Sequence, residues 1–83
     1  MEEKDTYTFQ VKRVRRVVEE HWPGKTVEVD PSPVAIRFRV MDPATGTVLA
    51  EVLETNAPSE FADKYPTDEV LATFIKNRSN GLL

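Results

Sequence analysis

The stretch from Val34 to Leu53 constrains the fold of this chain more than any other segment. Two apolar-rich runs, residues 34–41 and 47–53, flank the turn sequence Asp-Pro-Ala-Thr-Gly. Pro43 fixes φ at the first turn position, and Gly46 can adopt the left-handed conformation that leads into a second strand. The stretch therefore predicts a β-hairpin.

The sequence leaves two registers open for this hairpin. In the first, Asp42 pairs with Gly46, and the buried face of the later strand consists of Val48, Ala50 and Val52. In the second, Asp42 pairs with Thr47 around a four-residue loop, every partner shifts by one, and the two faces exchange. We favour the first register because the second one buries Glu51.

A helix and a strand are predicted before the hairpin. From Thr6 the apolar residues follow one face of a helix that ends at Pro23-Gly24, namely Tyr7, Val11, Val14, Val18 and Trp22. Residues 1–5 are expected to form a flexible tail. An alternative is that residues 6–11 begin as a strand, since the apolar residues Tyr7, Phe9 and Val11 also alternate. Residues 25–30 alternate polar and apolar side chains, which predicts a half-buried strand, and Pro31-Ser32-Pro33 connects it to the hairpin.

After the hairpin, residues 54–66 form a connection with one short helical turn near 58–63. Thr67 is a typical N-cap for a last helix, and Asn80-Gly81 predicts its end. The apolar face of that helix consists of Val70, Leu71, Phe74 and Ile75. The predicted fold class is therefore α+β: one small domain over residues 1–83, in which a helix, a three-stranded antiparallel meander and a helix (αβββα) place both helices on one face of the sheet.

Composition excludes several classes of protein. The chain has 83 residues and no cysteine, so we expect neither disulfides nor thiolate metal sites. No apolar run approaches the 18 or so residues of a membrane span, and residues 1–5 are charged without a following apolar segment. We therefore expect a cytoplasmic protein with no membrane partner.

No catalytic constellation is visible. His21 is the one histidine, and its position predicts a helix-end residue that interacts with the helix dipole. A catalytic role would require a base or nucleophile partner that the sequence does not identify. The scattered carboxylates have no metal-ligand spacing, and the three glycines form no phosphate loop. We expect no enzyme activity, no cofactor and no metal.

The leading functional prediction is a small protein-interaction domain that acts through an exposed sheet face or strand edge. Under the favoured register, the outer face of the hairpin carries two arginines, one glutamate and two leucines: Arg37, Arg39, Leu49, Glu51 and Leu53. Unpaired strand edges are templates for pairing, so the predicted partner is another protein or a second copy of the chain. The simpler alternative is that Arg37 and Arg39 form ion pairs with neighbouring carboxylates.

A basic run on the first helix predicts nucleic-acid binding as the alternative function. Its cations are Lys12, Arg13, Arg15 and Arg16. They can equally form a solvated face in which Arg15 and Arg16 pair with Glu19 and Glu20. Residues 42–83 carry seven acidic and three basic side chains, so this half of the chain should repel polyanions.

Two family resemblances follow from these patterns. The order helix, three strands, helix resembles that of double-stranded RNA-binding domains, although Thr67-Asp68-Glu69 stands where those domains place basic residues. Residues 39–49 and the final Gly81-Leu82-Leu83 resemble the C-terminal part of the flagellar FlaG family, which implies a non-enzymatic accessory role in flagellar filaments. The chain departs from that family by lacking an Ile-Pro-Pro-Glu-like helix start and by carrying the longer segment 54–66.

Overall fold

The computed structural model describes residues 2–30, 32, 35–53 and 56–83, with side chains from residue 6 onward. Its elements follow in the order α1 (Glu2–His21), β1 (Thr26–Val29), β2 (Phe38–Asp42), β3 (Thr47–Val52), α2 (Pro58–Lys64) and α3 (Asp68–Arg78). The strands form an antiparallel sheet in the order β1-β2-β3. The predicted αβββα order is confirmed, and α2 occupies the place where one helical turn was expected.

Helix α1 begins earlier than its apolar pattern indicates. It starts at Glu2 instead of Thr6, so residues 2–5 of the expected tail are helical, and Met1 lies outside the described residues. Val14 and Val18 of the predicted stripe are buried together with Val17. The alternative of a strand over residues 6–11 is wrong, because the helical spacing turns Phe9 outward.

The hairpin adopts the second register at its turn and, beyond a β-bulge, a register that neither prediction contained. At the turn Asp42 is opposite Thr47 and Met41 is opposite Val48, as in the four-residue loop, and Gly46 has φ +74°. Between Val40 and Met41 the register shifts, so that Val40 is opposite Ala50. One extra residue in β3 therefore lets the chain keep the longer loop and still bury Ala50.

The bulge corrects the predicted faces of β3. Leu49, expected on the outer face, is only 9% exposed, whereas Val48, expected inside, is 42% exposed. Ala50 and Val52 are buried, as predicted. A bulge adds one residue to one strand, and here Leu49 is the extra residue, since Val40 is opposite Ala50 and Met41 is opposite Val48.

The short helix α2 and the last helix α3 close the domain. Thr67 caps α3 by accepting a hydrogen bond from the Val70 N–H at 3.1 Å. Val70 itself is exposed, and Ala72 is buried instead, so the predicted apolar face is shifted at this position. The helix ends at Arg78 and is followed by the positive φ angles of Asn80 and Gly81, as predicted.

All three helices contribute to one core on the inner face of the sheet. Its buried members are Val14, Val17, Val18, Ile36, Phe38, Val40, Ala50, Val52, Phe61, Tyr65, Leu71, Ala72 and Ile75. Phe61 of α2 packs edge-to-face with Phe38 and with Tyr65, at centroid distances of 6.5 Å and 4.9 Å. Among the described residues, no helix covers the opposite face of the sheet. Pro31, Pro33 and Val34 of the predicted connection and strand, and Glu54 and Thr55, lie outside the described residues.

Candidate interaction surface

The outer face of the sheet carries most of the predicted interaction residues. Arg39 lies on β2, Glu51 lies opposite it on β3, and Arg37 and Leu53 lie just beyond the strand ends. Leu49 does not belong to this face, because the bulge buries it. Val48 takes its place and lies opposite Met41. The apolar part of the outer face is therefore Met41, Val48 and Leu53. Of these, Leu53 was predicted, whereas sequence reasoning missed Met41 and Val48 because it assumed one uniform register.

Arg39 is the centre of an ion-pair network across all three strands. Both of its Nη atoms donate to Asp30, at 2.8 Å and 3.0 Å, and its Nε donates to Glu51 at 3.1 Å. The Oε1 atom of Glu28 lies 3.7 Å from Nη1 of Arg39. The hydrogen bonds to Asp30 and then to Glu51 raise the pKa of Arg39. The predicted cross-strand ion pairing is confirmed for this arginine, and three carboxylates surround one guanidinium.

Arg37 differs from Arg39 although it lies on the same face. Its backbone carbonyl accepts a 2.9 Å hydrogen bond from the Asp30 N–H. Its side-chain Nε is buried and has no hydrogen-bond partner among the described residues. The expected ion pairing therefore does not extend to Arg37 in the described part of the chain.

A side chain from α1 occupies one outward carbonyl at the β1 edge of the sheet. Arg15 Nη1 donates a 2.9 Å hydrogen bond to the Val27 carbonyl. Because Asp30 and Arg37 form a hydrogen-bonded pair, the alternation along an antiparallel ladder turns Thr26 and Glu28 toward β2 and Val27 toward the open edge. Arg15 therefore occupies an outward carbonyl of a strand only four residues long.

The edge at β3 has a different character. The same alternation turns Phe38 and Val40 toward β3, where they face Val52 and Ala50. Glu51 lies between Ala50 and Val52 on β3, so its N–H and carbonyl point away from the sheet. No other strand pairs along this side in the described part of the chain. The outward backbone groups of Glu51 thus lie between the exposed side chains of Val48 and Leu53.

The basic run of α1 does not form a cationic patch. Arg13 is buried and donates to Asp68 Oδ1 at 2.9 Å, to Gln10 and to the Tyr65 carbonyl. Arg16 donates to Asp68 Oδ2 at 2.8 Å. Arg15 binds the Val27 carbonyl, and only Lys12 of the four is exposed without a described partner.

Asp68 is therefore the acceptor that Arg13 and Arg16 share. It takes the place of the expected ion pairs with Glu19 and Glu20 on α1. Hydrogen bonds from Arg13 and then from Arg16 lower the pKa of Asp68, and the hydrogen bond to Asp68, followed by the charge of Asp68, raises the pKa of Arg16. The residue also lies in the first turn of α3, where the helix dipole favours a negative charge. The spacing along α1 could not reveal this partner, because it lies 52 residues away from Arg16.

His21 lies at the C-terminal end of α1, as predicted, and lines an open groove of about 300 Å³. Its Nδ1 is 3.0 Å from the Val17 carbonyl, so this ring nitrogen serves as a donor within the helix. Glu69 and Lys76 of α3 line the same groove, together with Trp22, Ala72 and Thr73. The groove brings a histidine near one carboxylate, and the described residues contain no group of three ligands suited to a metal ion.

No family model, curated protein or solved structure matches this chain in the three comparisons. The resemblances to double-stranded RNA-binding domains and to the FlaG family thus stay predictions. Among the helices that the structure describes, none combines the length and the apolar character needed to cross a membrane.

Proposed function

We propose that this chain is a non-enzymatic protein-binding domain of the cytoplasm, and that it binds its partner at the β3 side of the sheet. The observation that carries the proposal is the position of Val48 and Leu53. Both are exposed, and both flank a strand edge whose backbone groups point outward. Exposed apolar side chains next to unpaired strand groups are typical of surfaces that another protein covers.

Two further features support this surface over the others. The network around Arg39 holds the outer face together, so a partner would meet side chains that are already ordered. Binding then costs less conformational entropy than it would on a mobile surface. The basic run of α1, by contrast, is used for contacts within the domain, so the described structure offers little support for nucleic-acid binding through it.

Photo-cross-linking from matched positions tests the proposal. A photoreactive residue is placed at Val48 or at Val70, which are equally exposed at 42% but lie on different sides of the molecule. Leu53 and Leu82 serve as a second pair of exposed leucines. In extracts of the source cells, we expect a discrete cross-linked protein from positions 48 and 53 and none from positions 70 and 82.

Equal labelling from all four positions would mean that exposure alone explains the capture. That result, or the absence of any discrete product from positions 48 and 53, would contradict the proposed function. Replacement of Val48 by Thr is expected to weaken capture from position 53, whereas the same change at Val70 should leave it unaltered.

A further inference from the structure

We infer that the β3 edge binds an extended peptide segment that contains a lysine or arginine between two apolar residues. One residue of any type separates the cation from each apolar residue. The inference rests on the proposed function and specifies the chemistry of the partner. It follows from three observations: one edge of the sheet is partly occupied by an arginine from α1, the other is open, and the open edge has a carboxylate at its centre.

The choice of edge follows from the contrast between β1 and β3. Addition of a strand requires free N–H and carbonyl groups along the edge. At β1 the Val27 carbonyl already accepts a hydrogen bond from Arg15. At β3 the N–H and carbonyl of Glu51 point outward, so a residue opposite Glu51 can form both hydrogen bonds of an antiparallel pair.

The charge of the added segment follows from the carboxylates near Glu51. Glu51 uses Oε2 to accept from Arg39, and its Oε1 has no partner among the described residues. Its side chain is 47% exposed, and Glu28 and Asp30 also surround Arg39. Three carboxylates thus lie beside one guanidinium, and the outer face as a whole, with Arg37, retains an excess of negative charge. A cation opposite Glu51 is the complementary side chain.

The apolar positions follow from the period of a strand. Side chains on one face recur at every second residue, so the residues two places before and after the cation lie on the outer face as well. They would pack beside Val48 at one end and Leu53 at the other. The expected pattern is therefore apolar, any residue, Lys or Arg, any residue, apolar.

A second copy of this chain fits the edge poorly. Two β3 strands paired about a two-fold axis place Glu51 opposite another Glu51, or shift it opposite Leu53. Like charges opposite each other destabilise a strand pair, and an apolar residue opposite Glu51 provides no cation for its Oε1. The segment that binds is thus expected to come from a different protein.

The test uses two synthetic peptides, acetyl-Thr-Val-Thr-Lys-Thr-Val-Thr-amide and its counterpart with Glu in place of Lys. Binding is followed by ¹⁵N NMR titration of the intact domain. We expect the Glu51 amide to shift on binding, and the Lys peptide to bind about 5-fold more tightly than the Glu peptide. Glu51→Gln should remove this preference and Glu51→Lys should reverse it, and the unfolding midpoint of each variant checks that the fold is intact.

N-methylated peptides separate strand addition from simple contact with the face. The lysine opposite Glu51 directs its N–H toward β3, so its N-methylation should weaken binding by about 10-fold, whereas N-methylation of the following Thr should change it by less than about 2-fold. Equal effects of the two methyl groups, shifts confined to β1, or an unchanged preference in Glu51→Lys would overturn the inference. So would dimerisation of the domain through β3 in sedimentation experiments.

Failure of this inference can be told apart from failure of the proposed function. If neither peptide binds but cross-linking remains selective for positions 48 and 53, the strand-addition inference is overturned and the proposed function stands. If cross-linking shows no selectivity, the proposed function is overturned as well.

Discussion

Replacing Asp68 with Asn should destabilise the domain by about 2 kcal/mol at pH 7. Asp68 accepts from Arg13 at 2.9 Å and from Arg16 at 2.8 Å, and the side chain of Arg13 is only 7% exposed whereas that of Asp68 is 40% exposed. Removing one partner of a fully buried ion pair costs about 3–5 kcal/mol, and an exposed pair contributes about 0–1 kcal/mol. The half-exposed carboxylate places the loss between these limits, because Arg13 keeps Gln10 and the Tyr65 carbonyl.

Urea unfolding followed by circular dichroism measures this loss. With a slope of about 1–1.5 kcal/mol per molar urea, the midpoint should fall by roughly 1.5 M. The effect has a defined pH dependence, since the pKa of Asp68 is lowered in the folded state by Arg13 first and Arg16 second. A lowered pKa stabilises the fold above the pKa of the unfolded chain, about 3.9, and the stabilisation is lost as the pH falls further. Wild type and variant should therefore differ most at neutral pH and converge below about pH 4.

Glu69→Gln is the matched control for this prediction. Glu69 is the next residue, lies in the same first turn and is exposed, so its replacement should cost only the helix-dipole contribution of about 0.3–1 kcal/mol. If Asp68→Asn lowers stability no more than Glu69→Gln, the ion pairs with α1 do not stabilise the domain. A difference that persists undiminished at pH 2 would also refute the reasoning, because a protonated Asp68 cannot bind the two arginines as a charged acceptor.

Four further substitutions test other parts of the structure. Phe61→Ala should cost about 3–5 kcal/mol in thermal unfolding, because it empties the aromatic centre of the core; a loss below about 1 kcal/mol would contradict the packing. Thr67→Ala should cost about 1 kcal/mol by removing the cap of α3, whereas Thr73→Ala, exposed within the same helix, should not destabilise it. Gly46→Ala should cost about 1 kcal/mol because Gly46 has a positive φ that an alanine adopts only with strain, whereas the added Cβ itself meets no other atom. An unchanged melting temperature would exclude that backbone conformation. Arg39→Gln should lower the melting temperature more at pH 7 than at pH 2, since its carboxylate partners repel one another only when charged; a pH-independent effect would refute this.

The hairpin shows how far the sequence could predict the fold. The turn residues predicted its position, and the burial of Ala50 and Val52 with Glu51 outside was predicted from polarity. The favoured register is wrong along the whole hairpin, because it treats a four-residue loop and the burial of Ala50 as mutually exclusive. A bulge satisfies both at the cost of one unpaired residue, and nothing in the local pattern marks where that residue is inserted.

The basic run of α1 shows a second limit. Helical spacing correctly separates the valine stripe from the cations, but it treats every residue on the polar face as exposed. Arg13 is buried on that face because the junction of α2 and α3 covers it with the Tyr65 carbonyl and Asp68. Such contacts join residues more than 50 positions apart, and they depend on how the last two helices pack, which periodicity alone does not determine.

The three arginines of α1 decide which surface remains for a partner. Arg13 and Arg16 bind Asp68 and so attach α1 to α3, while Arg15 binds the Val27 carbonyl and occupies part of the β1 edge. These contacts use the cations that a nucleic acid would otherwise contact. In the described part of the sheet they also leave β3 as the edge that combines outward backbone groups with exposed apolar neighbours. The distribution of charge that first indicated a nucleic-acid surface on α1 thus supports, once the contacts are known, a protein-binding surface at β3.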